Sequence, residues 1–408
     1  MTRLRLLLPL LLACAPAAGA GPDCRQALLE TLGWRFEQAP VAAPEVLGGL
    51  PCERATLAEA QAAGDLRVRL PPGLPAAQRD ALLARLLDDP ATTCAFGFRL
   101  GAATRRAVDA LVANPGYRFT GLQLGWIGFG PGGAARDGWR PIAAFGRGYV
   151  PRAGNWNAIQ AFTRGRVRSE CGVGRQVAQF AAQAELFGPA GFDRAFAAGE
   201  IAIGTWHVLN RSGGILQGAA AGEFTHDGLA RAASARGRQA LVGVPGFLEH
   251  VFARSTLDDI NNQAQNFVVY DVDAAAAAAL RAHGGFGHYN ARMREAWRLS
   301  RGFPRGGRRY FERLLWERDP RLRAAVAPAQ RDALARLDAL LADPFFTGFR
   351  IYVHRQGVRP VGYHVARMLD RNPRTPYAIQ FALHNVHTTL MRRWFDDRLR
   401  QCAAGAPG

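Results

Sequence analysis

"R168-S-E-C-G-V-G-R-Q-V-A-Q-F180" is the stretch on which the fold reading turns. From Cys171 onward, Val173, Val177, Phe180, Ala181 and Ala184 recur at helical spacing, and alanines fill much of the remainder. A helix buried on most sides therefore begins here, with Ser169 placed as its N-cap. A thiol in the first helical turn meets the positive end of the macrodipole and unpaired N–H groups. Arg166, Arg168 and Arg175 add positive charge, and such surroundings favour the reactive thiolate. Gly172 and Gly174 remove side chains beside the sulfur, leaving room for a substrate backbone and for N–H groups that face an oxyanion. Glu170 is a dipole partner for the helix, or a carboxylate that holds or accepts a proton. The plain alternative is a small cysteine that packs passively.

Cysteine arithmetic favours the chemical reading. The chain has six cysteines: Cys14, Cys24, Cys52, Cys94, Cys171 and Cys402. Cys14 falls in an N-terminal export signal, residues 1–20, with Arg3 and Arg5 ahead of the short apolar run Leu6 to Leu12 and a small-residue site at "A18-G19-A20". "L11-L12-A13-C14" also reads as a lipoprotein box, in which case Cys14 is acylated and the chain sits peripherally on a membrane. Five cysteines remain in an oxidising compartment, and the odd one is a candidate reactive thiol. Cys24, Cys52, Cys94 and Cys402 are expected to form two disulfides, guessed as Cys24–Cys52 and Cys94–Cys402, leaving Cys171 free. No later segment is a transmembrane candidate.

The chain has 408 residues and 49% hydrophobic content, enough for a substantial core and more than one domain. Its formal charge is +18, and all of its basic residues are arginine, with no lysine. A GC-rich genome, which favours arginine codons, is the plain reading, and such a surface is still expected to associate with anionic envelope polymers or lipid headgroups. No interleaved aromatic and basic patch of the nucleic-acid kind is present.

Residues 21–75 read as a loose N-terminal extension, in which helical pieces alternate with breaks such as "L70-PPGLP". A helix follows at "A76-AQRDALLARLLDD", stopped by Pro90. "R118-FTGLQLGWIGFG" reads as strand, residues 130–154 as a Gly/Pro/Arg-rich loop, and "N155-WNAIQAFTRG" as helix. "R238-QALVGV" and "Q265-NFVVYDV" are strand-like. Asp273 caps "AAAAAALRAH", which Gly284 and Gly285 end. A catalytic domain over 76–300 is followed by a basic helical C-terminal region, 301–408. One echo crosses that boundary: "A77-QRDALLARLLDDP" before "GFRL" resembles "A329-QRDALARLDALLADP" before "GFRI". No repeat architecture is built on it.

A partner for the thiol is expected from the strands beside the helix. Gln265, Asn266, Asp271, His283 and His288 are the candidates, and His226-Asp227 is a further polar pair. No HExxH, CxxC or His-rich spacing and no dinucleotide or Walker fingerprint appears, so no metal or cofactor is expected.

The order "F96-GFRL…W139…A158-IQAF-TRGRVRSEC171…L186-FG…F192…F196…W206", followed by "L241-VG…Q265-NF…GGFGHY", resembles the spore-coat type of bacterial protein-glutamine gamma-glutamyltransferase over about residues 95–290. The resemblance implies an α+β, papain-like core, with a cysteine at the start of a buried helix packed on an antiparallel sheet. It implies an acyltransferase in which Cys171 attacks a glutamine carboxamide, ammonia leaves, and an amine such as lysine resolves the thioester. Its partners are then proteins or peptides bearing glutamine and lysine. It places Glu170 as the adjacent carboxylate, Gln265 where the family carries a catalytic glutamate, and His288 at the family's histidine. Gln265 cannot act as a base, so His288, ahead of Glu170, is the expected general base. A cysteine amidase on the same core and an inactive envelope-binding domain are the competing readings.

Overall fold

The helix expected at Cys171 forms, and the rest of the chain is arranged around it. The computed structural model describes residues 22–49, 51–119, 138–142, 148–169, 171–204, 237–250, 264–300, 328–354, 356–371, 377–381 and 386–404. The export signal, Glu170 and the His226-Asp227 pair lie outside the described residues. In chain order the elements are α1 (Pro22–Thr31), β1 (Arg35–Gln38), β2 (Glu45–Gly48), α2 (Leu57–Ala62), β3 (Leu66–Leu70), α3 (Ala76–Leu87), α4 (Pro90–Ala113), β4 (Tyr117–Phe119), β5 (Trp139–Ile142), β6 (Gly148–Pro151), α5 (Asn155–Arg164), β7 (Val167–Ser169) and α6 (Cys171–Ala195). There follow β8 (Ile203–Gly204), β9 (Pro245–His250), β10 (Ala264–Val272), α7 (Ala274–Ala282), α8 (Phe286–Ser300), α9 (Pro328–Leu341), α10 (Pro344–Gly348), β11 (Phe349–Val353), β12 (Gly357–Pro360), α11 (Val361–Arg371), β13 (Tyr377–Phe381) and α12 (Val386–Ala403). The fold is of the mixed α+β class.

α6 carries the expected apolar set inward: Val173, Val177, Phe180, Ala181 and Ala184 are all buried. So are Gln176, Gln179 and Gln183, because the helix is covered on most sides. The Gln176 amide meets that demand by donating to the Gly204 carbonyl (2.7 Å) and accepting from the Gly204 N–H (3.0 Å). The helix breaks at Gly188, where a left-handed φ of 72° precedes Pro189. A proline ring clashes with a helical conformation at the residue before it, and only glycine takes this φ without strain.

The main sheet has the order β12-β11-β10-β9-β13, antiparallel throughout. α4 and α6 pack together and against β10. On β11, Tyr352 and His354 face the α6 side, while Phe349 lies 5.7 Å from Phe286 of α8 and 5.2 Å from Phe345 of α10. Strand side chains alternate between faces, so the sheet separates α6 from α8 and α10. One apolar core runs from Leu29 to Phe395.

Several expectations are corrected. The region after residue 300 is not purely helical: β11, β12 and β13 supply three of the five strands of the main sheet. The N-terminal extension holds a sheet of its own, order β1-β3-β2, tied to the core by Trp34, whose indole N–H donates to Thr92 (2.9 Å). Pro90 opens α4 at its first turn, with Asp89 as cap, rather than only ending α3. Residues 238–240 form a 3-10 turn, and the strand begins at Pro245. The disulfides are Cys24–Cys402 and Cys52–Cys94, so the expected set is right and the guessed pairing is not. Chain ends that fold side by side, α1 against α12, explain the first. The second closes a loop of 42 residues between the turn at Pro51–Glu53 and α4. Among the described residues no helix is long and apolar enough to cross a membrane.

Candidate active site

β7 leads directly toward α6 and pairs in parallel with β4, setting Tyr117 opposite Val167 and Phe119 opposite Ser169. Ser169 is a buried strand residue whose hydroxyl donates to the Tyr117 oxygen (3.2 Å), so it is not the helix cap. Cys171 then begins α6, outside both disulfides and partly accessible. A strand running into a helix start places the sulfur at the helix's electropositive end.

Two strands of the main sheet supply the groups around it. Asn266 on β10 donates its side-chain N–H to the Cys171 sulfur at 3.6 Å. The ladder pairs Val268 with Tyr352, and carried two residues on it sets His354 beside Asn266 on the same face. His354 packs against α6 at Gly174. A Cβ there would lie 2.6 Å from His354 Cβ and 2.9 Å from its Cγ. Gly174 therefore makes room for the imidazole, rather than for a substrate backbone. Gly174 lies one turn beyond Cys171 on the same helix face, so the histidine approaches the helix on the thiol's side.

The imidazole is held from several directions. The Tyr117 ring stacks on it with centroids 4.1 Å apart, and Phe119 lies 6.0 Å away. The Tyr352 hydroxyl is 3.5 Å from His354 Nδ1. Burial raises the Tyr352 pKa well above its ordinary value, so this group stays an O–H. Burial also pushes His354 down to about 4, against an upward pull from the Arg118 backbone. His354 is thus a neutral imidazole at neutral pH, and its buried Nε2 has no hydrogen bond. The Arg118 backbone is a hydrogen-bond partner of the ring, and a neutral imidazole keeps one ring nitrogen able to accept a proton.

The expected partners fall elsewhere. Gln265 pairs with Leu248 on β9 and stands next to Asn266 on the strand, hence on the opposite face, where its buried carbonyl oxygen has no hydrogen bond. Alternation therefore gives the position facing the sulfur to Asn266. His288 lies in the first turn of α8, beyond the sheet, and stacks on His283 at 4.0 Å. The sheet separates it from Cys171, so the structure does not bring the expected base to the thiol. Burial, His283 and Arg292 lower its pKa. Asp271 lies at the far end of β10 and faces Arg105 of α4 (3.9 Å). His354 was missed because it lies in a tail read as helical. The signal that marks it is "F349-R-I-Y-V-H", four strand formers around one arginine running into a histidine. Among the described residues no cluster of His, Cys, Asp and Glu is placed to hold a metal ion.

Comparison with known proteins gave no matching family model, curated protein or solved structure.

Proposed function

We propose that this chain is a cysteine acyltransferase on a papain-like core, acting on glutamine side chains of proteins or peptides. The observation that carries the reading is the hydrogen bond from Asn266 to the Cys171 sulfur at the start of α6, with His354 on the adjoining strand. A donor at sulfur and a helix N-terminus both favour thiolate over thiol. His354 takes the thiol proton. The thiolate attacks the carboxamide carbon, a C–S bond forms, the C–N bond breaks, and nitrogen leaves as ammonia after receiving the proton. A primary amine then attacks the thioester, giving up its proton to His354 and returning sulfur to the enzyme. With water as acceptor the product is glutamate. The two disulfides support work in an oxidising compartment.

An imidazole base serves water as well as an amine, so a peptide amidase on the same core is the second reading. The test is incubation with a glutamine-donor peptide and a labelled primary amine, with ammonia followed in parallel. Amine incorporation that disappears in Cys171→Ala is the expected result. Ammonia without incorporation selects hydrolysis. No turnover by wild type on any glutamine peptide would falsify the transfer reading.

A further inference from the structure

β3 presents two arginines on one face, β7 and the residue before it present two more, and the molecule treats the two pairs differently. On β3, Arg67 is met by Glu37 (3.5 Å) and Arg69 by Glu45 (3.7 Å), each acid on a flanking strand. Beside β7 the alternation repeats: Arg166 and Arg168 are exposed while Val167 between them is buried. The residue opposite Arg168 on β4 is another exposed arginine, Arg118. Like charges directly opposite each other in a ladder repel. None of these three guanidinium groups has an ion pair or side-chain hydrogen bond among the described residues. Exposed arginines without an acid occur elsewhere too, Arg35 and Arg85 among them; what sets this ladder apart is arginine directly opposite arginine with no counter-charge among the described residues.

This ribbon delivers the thiol. Arg168 is on the strand that runs into Cys171, and the buried side of the same ribbon carries Tyr117, which stacks on His354. We infer that Arg118, Arg166 and Arg168 form a docking face for an acidic stretch of the substrate polypeptide, bound extended, with carboxylates on alternate residues beside the reacting glutamine. Geometry selects that pattern. Neighbouring strands are about 4.8 Å apart, and same-face residues along a strand repeat at roughly 6.6 Å. An extended peptide with acids at alternate positions repeats at the same interval as Arg166 and Arg168. A carboxylate between Arg118 and Arg168 replaces their repulsion with two charge-assisted hydrogen bonds. The substrate assignment rests on the acyl-transfer reading; the binding does not.

The probe is a labelled peptide with glutamates on alternate residues and alanine in place of the glutamine, read by fluorescence anisotropy on the full chain carrying Cys171→Ala. A neutral peptide and one with the same glutamates in a contiguous block are compared. The alternating peptide should bind about tenfold tighter than the neutral one and weaken as salt screens the contact. Arg118→Gln with Arg168→Gln should remove that advantage. Arg67→Gln with Arg69→Gln, half-buried and already paired with acids, should leave it unchanged. Equal binding of neutral and alternating peptides, or an unaltered advantage in the Arg118/Arg168 variant, overturns the docking face. So does a preference for the contiguous block or for an anionic polysaccharide, since either reports charge without register. Arginine-dependent binding with no turnover of any glutamine peptide leaves the docking face standing and removes the acyl-transfer reading. Turnover of neutral and acidic glutamine peptides at equal rates does the reverse.

Discussion

The same sequence signal opens two different structures in this molecule. "A77-Q-R-D-A-L" begins within α3 and "A329-Q-R-D-A-L" within α9. Each helix ends before an Asp-Pro pair, and each Asp caps the next helix: Asp89 accepts from the Ala91 N–H (2.7 Å), Asp343 from that of Phe345 (2.9 Å). Gly-Phe-Arg comes next in both. In the first copy these residues sit inside α4, which runs on to Ala113. In the second, the helix stops at Gly348 and the chain becomes β11. The residues downstream decide. "L100-G-A-A-T-R-R-A" is rich in alanine and arginine, which favour helix. "I351-Y-V" is β-branched and aromatic, which favours a strand, and β10 offers an unpaired edge to receive it. Gly348 helps, because a side chain there would collide with the Asp273 carboxylate. Caps and prolines thus say where an element begins, and the downstream pattern with its tertiary partner says which element it becomes.

The largest break in this comparison is chemical. In register from the shared glycines, the first copy has Ala103 where the second has His354. His354→Ala makes the copies alike at that position and should lower kcat/KM by about 10²–10⁴-fold, the usual cost of a lost general base. His288→Ala, beyond the sheet, should stay near wild type. Wild-type activity in His354→Ala, or its loss in His288→Ala, would return the base to α8. The sign of the pH dependence follows from the burial of His354, which lowers its folded pKa to about 4 from an unfolded value near 6.5. The neutral form is the one the fold favours. Stability from this group is therefore complete above about pH 6.5 and lost as pH falls toward 4. The acid limb of kcat/KM should likewise lie below 6.5.

Next in size is a break in stability alone. The first copy is stapled, through Cys94 to Cys52, and the second contains no cysteine. Closing a loop of 42 residues stabilises by about 4 kcal/mol at most in the chain-entropy view. Cys52→Ala with Cys94→Ala should lower the denaturant midpoint accordingly and leave kcat of the folded fraction unchanged. A comparable loss of kcat at low denaturant would mean that α4 positions the thiol as well as supporting it.

The two copies also explain which features were legible in the sequence. Cys171 could be read because its signals are local: a helical apolar pattern, glycine neighbours and an odd thiol count. Asn266 and Gln265 could be read only as a pair, since which one faces the sulfur depends on register with β9 and β11, and β11 lies some eighty residues away. His354 was hidden by composition. The Arg, Ala and Leu of α9 resemble those of α3 and suggest helix throughout, and a strand of five residues directly after a helix does not outweigh them. Disulfide pairing was illegible for the same reason, because it depends on α12 returning to α1.

The smallest effect separates the copies most finely. Losing an Asp N-cap costs about 1 kcal/mol, so Asp89→Ala and Asp343→Ala should lower stability by similar amounts. Their effects on catalysis should differ. Asp89 starts a helix of 24 residues that is held along its length by packing against α6. Asp343 starts α10, a helix of five residues whose next residue is the first of β11. Phe345 and Phe346 anchor that helix in the core, but its entry angle depends on the cap, and β11 carries the chain to His354. Asp343→Ala should therefore reduce kcat several-fold with KM little changed, a modest part of the effect of removing the base itself. Asp89→Ala should leave both constants alone. Hydrogen exchange at Ile351 and Tyr352 gives a second readout, faster in Asp343→Ala and unchanged in Asp89→Ala. Equal kinetic behaviour of the two variants would show that β11 is fixed by its ladder with β10 alone, and that the shared Asp-Pro signal does no more in the second copy than in the first.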